Sequence, residues 1–248
     1  MARSIYIASP NAGTGKSTVA LGLVSCLTKV VAKVGVFRPF VESREGDAFL
    51  SLLLNRAGST TPPEQCVGAT WDEFHADPEE ALARIVDAYR AMAREHDVVI
   101  IDGSDFTDVA GNPELALNAR VAANIGVPVL LVVSGQHDVE DVVASVEVSM
   151  AEIADNHART VAVVANKCLP ETRQAIGEAL TAIEGITSTT LPEIPLLAAP
   201  VVREVLDAVE GTLIAGDETL LDREAESVLV CAMDVSHVLE RLAESQLV

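Results

Sequence analysis

The sequence predicts an α/β protein in which a mainly parallel sheet is covered by helices on both faces and is followed by a partial second domain. Three observations carry this prediction. Short runs that are apolar at successive positions, such as Val98-Val99-Ile100-Ile101, alternate with longer stretches of helical spacing. Strands apolar on both faces belong to sheets buried between helices. A glycine-rich loop joins the first apolar run to the first helical stretch, and the alternation changes character near Pro200.

In chain order, strands are expected at Ser4–Ala8, Val34–Phe37, Val98–Ile101, Val127–Val133, Thr160–Ala165 and Ile194–Leu197. Helical spacing of apolar residues marks Lys16–Val30, Gly46–Arg56, Pro78–Arg94, Pro113–Asn124, Val139–Asp155 and Glu171–Ile183. Strand and helix in strict alternation imply βαβ units and crossover connections. Beyond Pro200 the pattern reads as a helix Val201–Val209, a short run Thr212–Ile214, a strand Val228–Met233, a helix Val235–Ala243 and the opening of a strand at Gln246-Leu247-Val248. We therefore expect one domain over residues 1–200, then a connector and the truncated start of a second domain over 201–248.

Composition narrows the function. Hydrophobic residues make up 49% of the 248, enough for a full core without cross-links. Acidic residues outnumber basic ones 37 to 17, a formal net charge of −20. Such a field repels nucleic-acid backbones and acidic lipid surfaces, so neither is an expected partner. The N-terminal apolar run Ile5–Ala8 is strand-sized and stops at Ser9-Pro10, unlike a secretory leader, and no apolar stretch is long enough to span a membrane. Cys26, Cys66, Cys168 and Cys231 form no CxxC pair, sit in apolar stretches and are expected as small core residues. Together these features predict a cytoplasmic protein.

The chemistry lies in the first loop. Ser9-Pro10-Asn11-Ala12-Gly13-Thr14-Gly15-Lys16-Ser17-Thr18 follows a strand and opens a helix, the context a P-loop needs. The expected fold is thus P-loop NTPase-like. Gly13 and Gly15 permit conformations that turn successive N–H groups inward, and the helix N-terminus adds partial positive charge. The loop residues Asn11, Gly13, Thr14, Gly15, Lys16, Ser17 and Thr18 are candidate nucleotide contacts, with Lys16 reaching the β- and γ-phosphates. Pro10 removes one N–H from the loop.

Mg²⁺ requires oxygen ligands. Ser17 supplies a hydroxyl, and Asp102 ends an apolar strand where a Walker-B acid sits. Asp47 is a further candidate, though an acid before Ala48-Phe49-Leu50 also reads as a helix-start residue. Arg38, just past the second strand, is a candidate for a phosphate or an acidic substrate. Asn166 ends a strand and can pair with a purine edge, or simply turn the chain. Guanine-reading loops carry Asn-Lys-x-Asp; Leu169 stands in the acidic position, which leaves ATP or another adenine nucleotide, or no base selectivity.

These motifs, with Val34-Gly35-Val36-Phe37-Arg38-Pro39, Gly46-Asp47-Ala48, Val99-Ile100-Ile101-Asp102-Gly103 and Val164-Ala165-Asn166-Lys167, occur in dethiobiotin-synthetase-like order. The whole chain most resembles the N-terminal domain of the long, multidomain phosphate acetyltransferases. Its tail, Thr212-Leu213-Ile214 through Val228–Met233 and Leu239–Leu242, resembles the start of their middle DRTGG domain. The resemblance implies a regulatory and assembly role in a homo-oligomer, with ATP and Mg²⁺ as ligands. The exchange of acetyl-CoA and phosphate for acetyl phosphate and CoA would then belong to a C-terminal catalytic domain of the same protein. Two alternatives stand beside it: an ATP-dependent dethiobiotin synthetase, and a P-loop fold serving only assembly. Against the first, a lysine of that family is Arg38 here, a loop hydroxyl is Ala12, and its glycine-rich segment is Ser104-Asp105-Phe106.

Overall fold

The computed structural model describes residues 3–44, 46–104 and 114–248. They form two compact units, Met1–Pro192 and Glu193–Val248. The first is built on a parallel sheet in the order β3-β2-β4-β1-β5-β6-β7. Its strands are β1 (Arg3–Ala8), β2 (Val34–Val41), β3 (Val67–Thr70), β4 (Val98–Asp102), β5 (Val129–Ser134), β6 (Thr160–Cys168) and β7 (Thr187–Pro192). Every adjacent pair runs parallel, so each connection is a crossover. The crossovers carry α1 (Lys16–Leu27), α2 (Ala48–Ala57), α3 (Trp71–Ala76), α4 (Pro78–Glu95), α5 (Glu114–Ile125), α6 (Val139–Asp155) and α7 (Arg173–Thr181). The residue expected to open α5, Pro113, lies outside the described residues.

The central strands are sequestered because both of their faces are apolar. Tyr6, Ile7, Val36, Phe37, Ile100, Ile101, Leu131 and Val163 are buried in one continuous core. At the β3 edge the core is aromatic: Phe40 stacks on Trp71 with ring centroids 4.8 Å apart, and Phe74 meets Phe40 edge-on at 5.2 Å. The corner is fixed by a capping box in which Thr70 and Glu73 exchange bonds, Thr70 N–H to Glu73 Oε2 at 2.9 Å and Glu73 N–H to Thr70 Oγ1 at 3.3 Å. The Thr70 N–H, and then Arg44 and Arg84, hold the Glu73 carboxyl below its usual range.

The sequence reading needs four corrections. The expected strand Ile194–Leu197 is not one: Pro195–Ala198 is a short helical turn, and the outermost strand is Thr187–Pro192. An edge strand exposes one side, so Thr187-Ser188-Thr189-Thr190 carries polar residues that a search for apolar runs passes over. The sheet ends there, and with it the first compact unit. Second, β3 and α3 were not anticipated, being only four and six residues long, with Gly68 inside β3. Third, Arg38 and Pro39 lie within β2 rather than after it. There β2 leaves its pairing with β4 and takes up β3, from Arg38 opposite Val67 to Val41 opposite Thr70. Fourth, only Cys66 and Cys168 are buried; Cys26 and Cys231 are exposed, and all four are free thiols.

The second unit contains α8 (Pro195–Ala198), α9 (Val202–Ala208), α10 (Val235–Leu239) and a parallel pair, β8 (Ser227–Val228) with β9 (Gln246–Leu247). The expected strand Val228–Met233 shrinks to its first residue, and the expected helix Val235–Ala243 stops at Leu239. Apolar residues there stay largely exposed, Val228, Val230 and Leu239 among them, so no core extends either element. Among the described residues no helix is long and apolar enough to cross a membrane.

Phe40 has no exposed surface, so Phe40→Ala removes a ring from a packed cluster and should cost about 3–5 kcal/mol in urea unfolding. The chain's single tryptophan, Trp71, should shift its emission to the red as its stacking partner is lost. An unfolding midpoint unchanged from wild type would contradict the packing described.

Candidate phosphate-binding site

Ligands of open parallel sheets gather at the carboxyl ends of the strands where the strand order reverses. Here β1 lies between β4 and β5, and the loop from Ser9 to Gly15 leaves its end to enter α1. Gly13 and Gly15 hold positive φ angles of 76° and 79°, and Gly15 is the N-cap of α1. No side chain caps that helix, so its first N–H groups face the loop, as anion binding requires. The expected residues divide by burial. Thr14 and Lys16 are buried, Gly15 and Ser17 half-buried, and Asn11, Gly13 and Thr18 exposed.

Lys16 is drawn inward. Its Nζ lies 2.8 Å from Asp102 Oδ1, both side chains are within 1% of complete burial, and the same ammonium donates to the Gly103 carbonyl. Sheet register explains this meeting. Ile7 pairs with Asp102 across β1 and β4, so the acid stands beside the strand that feeds the loop. Phe37 pairs with Ile101 across β2 and β4, which sets the next residues, Arg38 and Asp102, side by side. Arg38 Nε lies 3.3 Å from Asp102 Oδ2. Those two buried atoms form a close ion pair whose geometry falls short of a hydrogen bond.

Arg38 continues the chain of charges. Its Nη1 donates to Asp47 Oδ2, and its Cζ lies 5.8 Å from the centre of the Phe49 ring. Asp47 is also the N-cap of α2, its Oδ1 accepting the Leu50 N–H at 2.8 Å, so the helix-start reading of this residue describes its position. Lys16, Asp102, Arg38 and Asp47 thus form one alternating series of charges.

Asn166, considered as a reader of a purine edge, spends its amide donor on the Thr14 carbonyl at 2.8 Å and is buried. It clamps the loop from behind. Its close approach is possible because residue 15 has no side chain: a Cβ on Gly15 would collide with Asn166 Nδ2. Lys167, to which sequence reasoning gave no role, donates from Nζ to the Gly13 carbonyl at 2.8 Å and has a φ of 59°. The available signal was its place, one residue past Asn166 at the carboxyl end of the sheet.

Behind the site, Gly103 allows a tight polar packing. The Tyr6 hydroxyl donates to Asn118 Oδ1 at 2.6 Å, and the Ser104 N–H donates to the same oxygen at 3.0 Å. Burial, then the nearby charges of Asp102 and Glu114, raise the Tyr6 phenol well above its ordinary value, so it remains a donor. Of the segment Ser104-Asp105-Phe106, residues 105 and 106 lie outside the described residues.

Comparison with known proteins agrees with this geometry. Residues 3–205 match the AAA domain family, and the chain belongs to it. It aligns with the N-terminal domain of long phosphate acetyltransferases. It is 25% identical to the phosphate acetyltransferase of Synechocystis over 98% of this chain, and 24% identical to that of Nitratidesulfovibrio vulgaris over all of it. The chain spans 37% of the length of each of these relatives. Among solved structures, the fold is similar to a Borrelia burgdorferi protein described as a plasmid partition protein and bound to AMPPNP. The TM-score is 0.55 and the identity 14%, over 89% of this chain and 94% of that one. It is also similar to the MinD cell division protein of Aquifex aeolicus, with a TM-score of 0.53 and 16% identity over 79% and 84% of the two chains.

Gly15→Ala and Gly13→Ala separate the clamp from backbone strain. Both place a Cβ at positive φ, but only residue 15 would strike Asn166; nothing lies within 4 Å of a Cβ at Gly13. Strain alone should cost about 1–3 kcal/mol. Gly15→Ala should cost measurably more than Gly13→Ala in chemical denaturation. Equal losses would show that Asn166 does not hold the loop.

Proposed function

We propose that this chain is the N-terminal, nucleotide-binding regulatory and assembly domain of a long phosphate acetyltransferase. The observation that carries the proposal is the alignment of essentially the whole chain with about a third of those relatives, together with a P-loop at its start. In this reading, the interconversion of acetyl-CoA plus phosphate with acetyl phosphate plus CoA takes place in a catalytic domain that follows in the same protein. The domain described here would sense a nucleotide and help a homo-oligomer assemble.

The ligand favoured is an adenine nucleotide, with its phosphates over Gly13–Ser17. The solved neighbour that holds AMPPNP shares this fold, and Leu169 replaces the acid with which a guanine-reading loop is completed. A chain of charge −20 repels a polyanion at long range. Attraction must then come from the loop N–H groups and from nearby side-chain cations, of which Lys16 is the innermost. Binding turns the Lys16 ammonium from Asp102 toward phosphate, and this rearrangement is the means by which the site would report occupancy.

Calorimetric titration with ATP tests the reading. The wild-type chain should bind, and Lys16→Ala should lose about 2–5 kcal/mol of binding free energy, because a bound phosphate is left without its close cation. The 248-residue chain alone should form no acetyl-CoA from acetyl phosphate and CoA. Absence of heat and of any thermal shift at millimolar ATP would remove the nucleotide role and leave assembly alone. Turnover by the isolated chain would overturn the division of labour.

A further inference from the structure

We propose that the guanidinium of Arg38 is the resident cation of this site, standing between Asp47 and Asp102 where P-loop chemistry would otherwise bring a divalent metal ion. The loop would then receive a phosphate chain with an arginine, rather than Mg²⁺, as its second positive charge. The consequence for nucleotide rests on the phosphate-binding reading above; the exclusion of metal does not.

The starting point is the ligand set. Mg²⁺ asks for near-octahedral oxygen ligation at about 2.0–2.1 Å, and in P-loop sites it is held by the loop hydroxyl and an acid. The residues in those positions are Ser17, Asp102 and Asp47. Their carboxylate oxygens do not fit a metal, because each already faces a positive charge or an N–H group. Asp102 Oδ1 meets Lys16 Nζ at 2.8 Å, and Oδ2 meets Arg38 Nε at 3.3 Å. Asp47 Oδ1 accepts the Leu50 N–H at 2.8 Å, and Oδ2 accepts from Arg38 Nη1. Among the described residues no cluster of three or more His, Cys, Asp or Glu is arranged to hold a metal.

Among the described residues, a metal bridging Asp47 and Asp102 would have to displace Arg38 from both acids. Several features hold the guanidinium in place. It is set by the register of β2 against β4, its side chain is only 13% exposed, and it lies near the Phe49 ring. The choice of arginine matters physically. Its planar fork can contact two carboxylates with different nitrogens, which an ammonium on a flexible stem does less well. Charge balance points the same way. Among the described residues, Lys16 and Arg38 offset Asp47 and Asp102 within the site.

Arg38 also lets Lys16 move. Asp102 has no exposed surface, and a buried carboxylate left without a partner is costly. When Lys16 turns toward a phosphate, Oδ2 keeps Arg38, so the acid is never stranded. The near-contact of Arg38 Nε with Asp102 Oδ2, close but short of a hydrogen bond, leaves room for that pairing to tighten. The Arg38 guanidinium, shared by two acids, thus stands where a metal ion stands elsewhere.

Two measurements on the full chain, with wild type, Arg38→Lys and Arg38→Gln, test this. Arg38→Gln keeps most of the stem and removes the charge; circular dichroism and thermal melts confirm that each variant is folded. In the first, Mn²⁺ is titrated without nucleotide and free ion is followed by electron paramagnetic resonance. Wild type should take up no Mn²⁺ below millimolar concentration. Arg38→Gln, with Asp47 and Asp102 released, should bind one ion at least tenfold more tightly, and Arg38→Lys should fall between. In the second, ATP affinity is compared in excess Mg²⁺ and in EDTA. Wild type should change less than threefold; Arg38→Gln should weaken at least tenfold in EDTA and recover most of the loss with Mg²⁺. Mn²⁺ binding by wild type as tight as by Arg38→Gln would overturn the proposal, as would ATP binding by wild type that requires Mg²⁺. If wild type binds ATP under neither condition, the nucleotide reading fails, and the Mn²⁺ comparison alone decides the place of Arg38.

Discussion

Asp102 is the constraint around which the site is organised. A carboxylate with no exposed surface, at the end of a central strand, must be compensated where it stands. Its two compensating cations come from different parts of the fold: Lys16 from the first turn of α1, and Arg38 from the second half of β2. Neither could reach it without the sheet order that seats β4 between β2 and β1. The pairings Ile7 with Asp102 and Phe37 with Ile101 are therefore part of the site's architecture.

The electrostatics follow from the same arrangement. A net charge of −20 is spread over the chain, yet the sheet's carboxyl edge collects Lys16, Arg38 and Lys167 within one loop system. Their charges are not idle. Lys16 and Arg38 are held by acids, and Lys167 is held by the loop's own backbone. In the proposed nucleotide-binding role, phosphate would enter by an exchange of partners rather than by filling an unbalanced positive pocket. Such exchange costs little when each displaced group retains a second contact, which is the position of Asp102.

Much of this was legible in the sequence. The loop glycines, Lys16, the apolar run ending at Asp102, and the alternation of strand and helix all follow from local pattern, and so did the parallel sheet. What escaped depended on pairing. Thr187–Pro192 is a strand because β6 offers an edge, not because its own residues are apolar. Val67–Thr70 is a strand because β2 turns from β4 to β3 at Arg38. The contacts of Asn166 and Arg38 were not legible for a related reason. A residue at a strand end can face a ligand or a neighbouring loop, and only three-dimensional proximity, such as Asn166 against Gly15, decides between them.

Lys16 and Asp102 stand as a mutually compensating buried pair. A double-mutant cycle with Lys16→Met and Asp102→Asn, read by urea unfolding without nucleotide, tests it most directly. Removing one member of a buried pair is expected to cost about 3–5 kcal/mol, and removing both should restore much of that loss, because no buried charge is then left alone. Lys16→Met should sit at the lower end, since Arg38 still faces Asp102. Strong coupling, with the double variant more stable than the sum of the two single losses predicts, is the result expected. Strictly additive losses would mean that the two side chains do not depend on each other, and that Asp102 is not the anchor of this site.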